Sequence, residues 1–82
     1  MELVYKDEAL KQLKRIGDGD KSKAQRKLEM IKKYPLIGKQ LQGEYLGLRS
    51  LRAWPLRIFY TFDPTSQIVE IIAIKYRGGA YK

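Results

Sequence analysis

The sequence predicts an α+β fold in the order βααβββ, with an N-terminal helical hairpin packed on a small, mostly antiparallel twisted sheet. Three observations carry this. Two apolar stripes at helical spacing lie within residues 7–34. A Gly17-Asp18-Gly19-Asp20 turn divides them. From Tyr45 onward the texture changes to β-branched and aromatic runs punctuated by proline. At 82 residues the chain reads as one domain, residues 1–82, near the lower size limit for a self-sufficient core.

Each element has a local reason. Leu3-Val4-Tyr5 is a short apolar start and reads as an edge strand. Asp7 and Glu8 then place negative charge where a helix N-terminus favours it. Leu10, Leu13 and Ile16 form one stripe, with Lys11, Lys14 and Arg15 turned outward, and Gly17 suits the position that stops the helix. Asp20 is placed to cap a second helix, whose stripe is Ala24, Leu28 and Ile31. Pro35 ends it by disfavouring helical geometry at Tyr34. Pro35 to Glu44 reads as a loop and Tyr45 to Ala53 as an uneven strand. Trp54-Pro55 is a turn or bulge, Leu56 to Phe62 a strand, and Asp63 to Ser66 a turn. Ile68 to Tyr76 is nearly all apolar, as a central strand covered on both faces or nearly so would be.

Composition narrows the function. Seventeen Lys and Arg against nine Asp and Glu give a net charge of +8, which favours polyanionic partners. With no Cys, disulfides and thiolate metal sites are excluded, and the cytoplasm is the expected compartment. With no His, the usual neutral-pH general base and the usual zinc ligand are missing; no metal site or cofactor is expected, in keeping with the metal-free chemistry that the resemblance below implies. Met1-Glu2-Leu3-Val4 lacks the basic start and long apolar run of a signal peptide, and no run is long enough to span a bilayer.

The remaining chemistry is guanidinium and phenol. Arg49, Arg52, Arg57, Lys75 and Arg77 all fall in the strand-rich half, where a cation needs a reason. One reason is pairing with Glu44, Asp63 or Glu70. The other is a concave face for phosphates, which guanidinium binds bidentately. Alternation puts Lys75 and Arg77 on one side of their strand unless a bulge intervenes. Tyr81, next to Lys82 at the end of a Gly78-Gly79-Ala80 tail, can stack on a base or donate a proton, or be a loose terminal residue. The many helix cations read individually as a solvated exterior and collectively as steering toward RNA.

At these residues the chain resembles the RelE/ParE superfamily of toxins from toxin–antitoxin pairs. The resemblance rests on the helical hairpin and on the Gly43-x-x-x-Gly47-Leu48-Arg49-Ser50-Leu51-Arg52 approach. It also rests on the Leu56-Arg57-Ile58-Phe59-Tyr60 strand, the apolar strand after a turn, and the closing Arg77-x-x-x-Tyr81. It implies a ribosome-dependent mRNA endoribonuclease in which the 2′-hydroxyl attacks the adjacent phosphate without a metal, inhibiting translation. It implies Arg57 at the scissile phosphate, Arg77 as charge stabiliser, and Tyr81 stacking or assisting proton transfer. Arg49 takes the place of strand lysines found in such nucleases, and Arg52, Lys75 and Lys82 are expected to contact RNA. Tyr76 stands where many relatives have His. Ribosome, mRNA and an acidic antitoxin are the implied partners, and no membrane. Two alternatives stay open: a ParE-like DNA gyrase inhibitor without nuclease activity, and a non-catalytic nucleic-acid-binding module.

Overall fold

The computed structural model describes residues 1–45 and 47–76. Strand β1 (Glu2–Tyr5) leads into α1 (Asp7–Arg15) and α2 (Asp18–Lys33). A two-residue strand β2 (Lys39–Gln40) and a 3₁₀ turn (Gly43–Tyr45) follow, then β3 (Arg49–Ala53), β4 (Leu56–Asp63) and β5 (Ile68–Tyr76). One five-stranded sheet runs β1-β5-β4-β3-β2, antiparallel except where β1 lies parallel to β5. The α+β architecture, the hairpin on one side of the sheet and the edge position of β1 match the sequence expectation.

The hairpin turn is tighter than the sequence suggests. Ile16 and Gly17 alone link the helices, and α2 already includes Asp18, Gly19 and Asp20. Gly17, in extended conformation, is the N-cap residue and no side chain caps the helix, so Asp20 is not the cap. The first-turn N–H groups lack intrahelical acceptors in any case, and Asp18 and Asp20 there complement the helix dipole. Asp20 instead accepts a hydrogen bond from the Tyr76 hydroxyl at 3.2 Å, tying α2 to the end of β5.

The segment read as a strand from Tyr45 also changes. Gly43 and Gly47 have φ of +70° and +97°, left-handed geometry that ends pairing, so the strand begins only at Arg49. Before it, β2 pairs Lys39 with Ser50 and Gln40 with Arg49, forming an edge inside what reads as loop. Two residues are too few to show periodicity.

Ala9, Ile16, Ala24, Leu28 and Ile31 of the hairpin region pack with Ala53, Leu56, Ile58, Tyr60, Val69, Ile71 and Ile74 of the sheet in one buried cluster. Period-two alternation sends Leu56, Ile58 and Tyr60 of β4 toward the helices and Arg57, Phe59 and Thr61 to the other, open face. On β5 the phase changes midway. Phe59 pairs with Ala73 but Tyr60 pairs with Ile71, leaving Ile72 as a bulge. Val69 and Ile71 therefore face the core before it, and Ile74 after it. The coverage of β5 is accordingly one-sided over part of its length, with Ile68, Glu70 and Ile72 half-buried. Beyond the four residues of β1, α1 covers the outer edge of β5, and the Ile74 N–H donates to Gln12 Oε1 at 2.7 Å.

Candidate nucleic-acid interface

The site starts from strand register. Residues directly opposite in an antiparallel pair project to the same face. Arg52 pairs with Arg57 and Arg57 with Lys75, so three cations form a row across β3, β4 and β5 on the open face. The Ile72 bulge delivers Lys75 to that face. Unbroken alternation from Val69 and Ile71 would have sent it toward the helices. Like charges placed directly opposite destabilise a sheet. At about 5 Å in water-like dielectric each neighbouring pair repels by roughly 0.8 kcal/mol. An anion laid over the row reverses that sign.

Arg52 and Arg57, together with Lys39, Leu41 and Ser50, line an open depression of about 440 Å³. No carboxylate is among these residues. Leu41 also borders a second, apolar trough of about 200 Å³ floored by Phe59, Ile72 and Ala73 and flanked by Tyr45 and Leu48. Lys75 and Glu8 complete its lining. Cationic depression and apolar trough thus share a wall, a combination that suits a phosphate with an attached base.

Arg49 does not join this row. It pairs with the core-facing Tyr60, and its Nη1 donates to the carbonyls of Gly38 at 2.9 Å and Leu36 at 3.4 Å. Parity decides this, since Arg49 and Arg52 are an odd number of residues apart. The same loop is held by Tyr60, whose hydroxyl donates to the Pro35 carbonyl at 2.7 Å and accepts the Gly38 N–H at 2.8 Å. Burial pushes the Tyr60 phenol up, opposed by the smaller effects of the Gly38 N–H and Arg49. Arg77, Tyr81 and Lys82 lie outside the described residues. The residues that sequence reasoning missed are Lys39, which lies on a two-residue strand hidden in a loop, Leu41 just beyond that strand, and Ser50.

The helix cations occupy the layer that covers the opposite face of the sheet. Among the described residues no helix is long and apolar enough to cross a membrane, and no group of three or more acidic side chains is placed to hold a metal ion.

Toxins and toxin–antitoxin complexes are among the solved structures similar to this chain. A chain of the RelBE2 complex from Mycobacterium tuberculosis aligns with TM-score 0.85 at 22% identity, covering 93% of this chain and 96% of that one. The YoeB/ParE toxin from Agrobacterium tumefaciens gives 0.81 at 21% identity, covering 93% and 98%. A chain of the intact Escherichia coli RelBE complex gives 0.77 at 19% identity, covering 92% and 94%. At these identities the likeness establishes the fold. Curated protein sequences return no match. The family model for the ParE toxin of type II toxin–antitoxin systems matches residues 3–81, nearly the whole chain, and the protein belongs to that family within the RelE/ParE toxins.

Proposed function

We propose that this toxin acts on RNA, as a ribosome-dependent mRNA endoribonuclease whose open-face cations grip the phosphodiester backbone. The observation that carries the reading is the row Arg52, Arg57 and Lys75 across three strands, beside a depression with no carboxylate in its lining. In the reaction the 2′-oxygen bonds to the adjacent phosphorus and the bond from phosphorus to the 5′-oxygen breaks. The 2′-hydroxyl proton leaves and the 5′-oxygen gains one. Arg57, central in the row, is the group assigned to the charge that builds on the non-bridging oxygens. Arg52 and Lys75 hold the strand on either side. Preorganised donors of this kind account for much of the rate in phosphoryl transfer. Arg77, Tyr81 and Lys82 keep the roles that the family resemblance implies for them.

Arg49 is committed to the Leu36 and Gly38 carbonyls and takes a structural role in this reading. The second reading, a ParE-like gyrase inhibitor, is favoured by the identity of the matching family model. Primer extension on translating ribosomes separates the two. Messenger ends at A-site codons that vanish in Arg57→Ala support RNA cleavage. Inhibition of gyrase supercoiling without such ends replaces it with the second reading.

Similar toxins were solved in complex with antitoxins. With a net charge of +8, this chain is suited to an acidic antitoxin segment that competes with RNA for the open face, in the cytoplasm.

A further inference from the structure

The sheet edge holds a cation that neither the strand pattern nor the family resemblance assigns. Lys39 sits on β2 directly opposite Ser50, and Ser50 is directly opposite Phe59 of the open face. Lys39 therefore projects to the same face as Arg52 and Arg57, and all three line the depression with Ser50. Two strand spacings and two residues of rise separate the backbone positions of Lys39 and Arg57, about 12 Å in all. Extended Lys and Arg side chains span that distance from its two ends.

The backbone that carries Lys39 is anchored from the other side of the sheet. Its neighbour Gly38 is buried, with its N–H on the Tyr60 hydroxyl at 2.8 Å and its carbonyl on Arg49 Nη1 at 2.9 Å. Loops with exposed backbone polar groups move easily. Here both polar groups of the residue preceding Lys39 are tied to side chains of β3 and β4, the strands that also carry Arg52 and Arg57.

We propose that Lys39 is a phosphate-binding residue of this site, holding a backbone phosphate of single-stranded RNA next to the one at Arg57, and that Arg49 positions it through Gly38. The proposal rests on the RNA reading above and adds to it a ligand contact and the residue that places it. Ser50, between the two cations, is within the same lining and offers a neutral hydroxyl to the strand.

The test uses the full chain and a fluorescein-labelled twelve-nucleotide oligouridylate, with binding measured by anisotropy over a salt series. Lys39→Ala is expected to weaken binding roughly tenfold, as loss of one charge-assisted contact does, and to reduce the slope of log K against log salt by about 0.7. Lys39→Arg restores most of both. Lys32→Ala, on the far helix layer, changes affinity less than twofold. Arg49→Met weakens binding when Lys39 is present and adds nothing to Lys39→Ala. Circular dichroism and thermal melts establish that each variant is folded. If Arg57→Ala weakens binding and Lys39→Ala does not, or if Lys32→Ala weakens it as much, Lys39 is no contact and the inference is overturned while the RNA reading stands. If neither Arg57→Ala nor Lys39→Ala alters affinity or salt slope, the RNA reading itself fails and takes the inference with it.

Discussion

Gly38→Ala is the sharpest test of how the fold holds its sheet edge. A Cβ built on Gly38 would lie 2.6 Å from the Tyr60 hydroxyl oxygen and 2.8 Å from its Cε1. Tyr60 has no exposed surface, and its hydroxyl is held by the Pro35 carbonyl and the Gly38 N–H. The ring cannot swing away without giving up both hydrogen bonds. Overpacking of this kind costs about 1–3 kcal/mol, and each buried hydrogen bond lost adds roughly 1 kcal/mol. The expected total is about 3 kcal/mol, a large share of the roughly 4–12 kcal/mol that holds a domain of this length together. In urea, with a slope of about 1 kcal/mol per molar for a small domain, the midpoint falls by about 3 M. Tyr60→Phe removes the oxygen that meets the new methyl, so the double variant should be less destabilised than the two single costs combined, by about 1 kcal/mol. A Gly38→Ala midpoint within 0.5 M of wild type, or strict additivity in the double variant, refutes the clamp.

Three further outcomes follow from the same geometry. Gln12→Leu leaves the Ile74 N–H without its acceptor, so stability should fall by about 1–2 kcal/mol, and hydrogen exchange at the Ile74 amide should accelerate. The Tyr60 phenol, raised by burial above its ordinary value of 10.0, favours the folded state fully below pH 10, and that contribution is lost as pH rises through the folded-state value. The melting temperature should therefore drop steeply in alkaline buffer, and less steeply in Tyr60→Phe, with Tyr5 and Tyr76 sustaining the remainder. Asp63 is lowered, first by the Thr65 N–H and then by the Ser66 hydroxyl, so its contribution is present above 3.8 and disappears as pH falls through the folded-state value. Asp63→Asn should flatten the acid limb of the stability curve, read by melting temperature between roughly pH 5 and pH 2.

Which parts of this were legible in the sequence depends on whether local chemistry or pairing decides them. The helical hairpin was legible, because Ala24, Leu28 and Ile31 repeat at helical spacing and Pro35 stops the run. Strand β4 was legible from its density of β-branched and aromatic residues, and Arg57 could be named from it. The Ile72 bulge was not, because Ile71-Ile72-Ala73-Ile74 is apolar at every position and fits either phase. That single extra residue decides whether Lys75 lies on the open face or the core face of the sheet. Arg49 was named from the resemblance, as the basic group standing where such nucleases have strand lysines, but its face was not legible for a related reason: alternation along β3 assigns it and Arg52 to opposite faces. Lys39 was invisible because a two-residue strand has no pattern and owes its existence to its partner Arg49-Ser50.

The division of arginines between the two faces bears directly on the chemistry. Described groups around the depression that can meet a phosphate are ammonium, guanidinium and one serine hydroxyl, and guanidinium does not accept a proton in proteins. With Arg49 bound to backbone carbonyls on the far face, Arg52 is the arginine that β3 presents on the open face to orient the 2′-hydroxyl. Such a surface stabilises negative charge but does not by itself start the reaction, since general-base catalysis needs an acceptor within hydrogen-bond reach of the proton. In the RNA reading, binding and charge stabilisation are therefore intrinsic to the described sheet, and proton removal is supplied by the bound assembly or by residues after Tyr76. Dependence on the ribosome is then a consequence of composition. A chain without His can hold the scissile phosphate tightly and still be a slow nuclease on free RNA, so the same Arg57→Ala change should weaken binding to free RNA and abolish cleavage only where translating ribosomes are present.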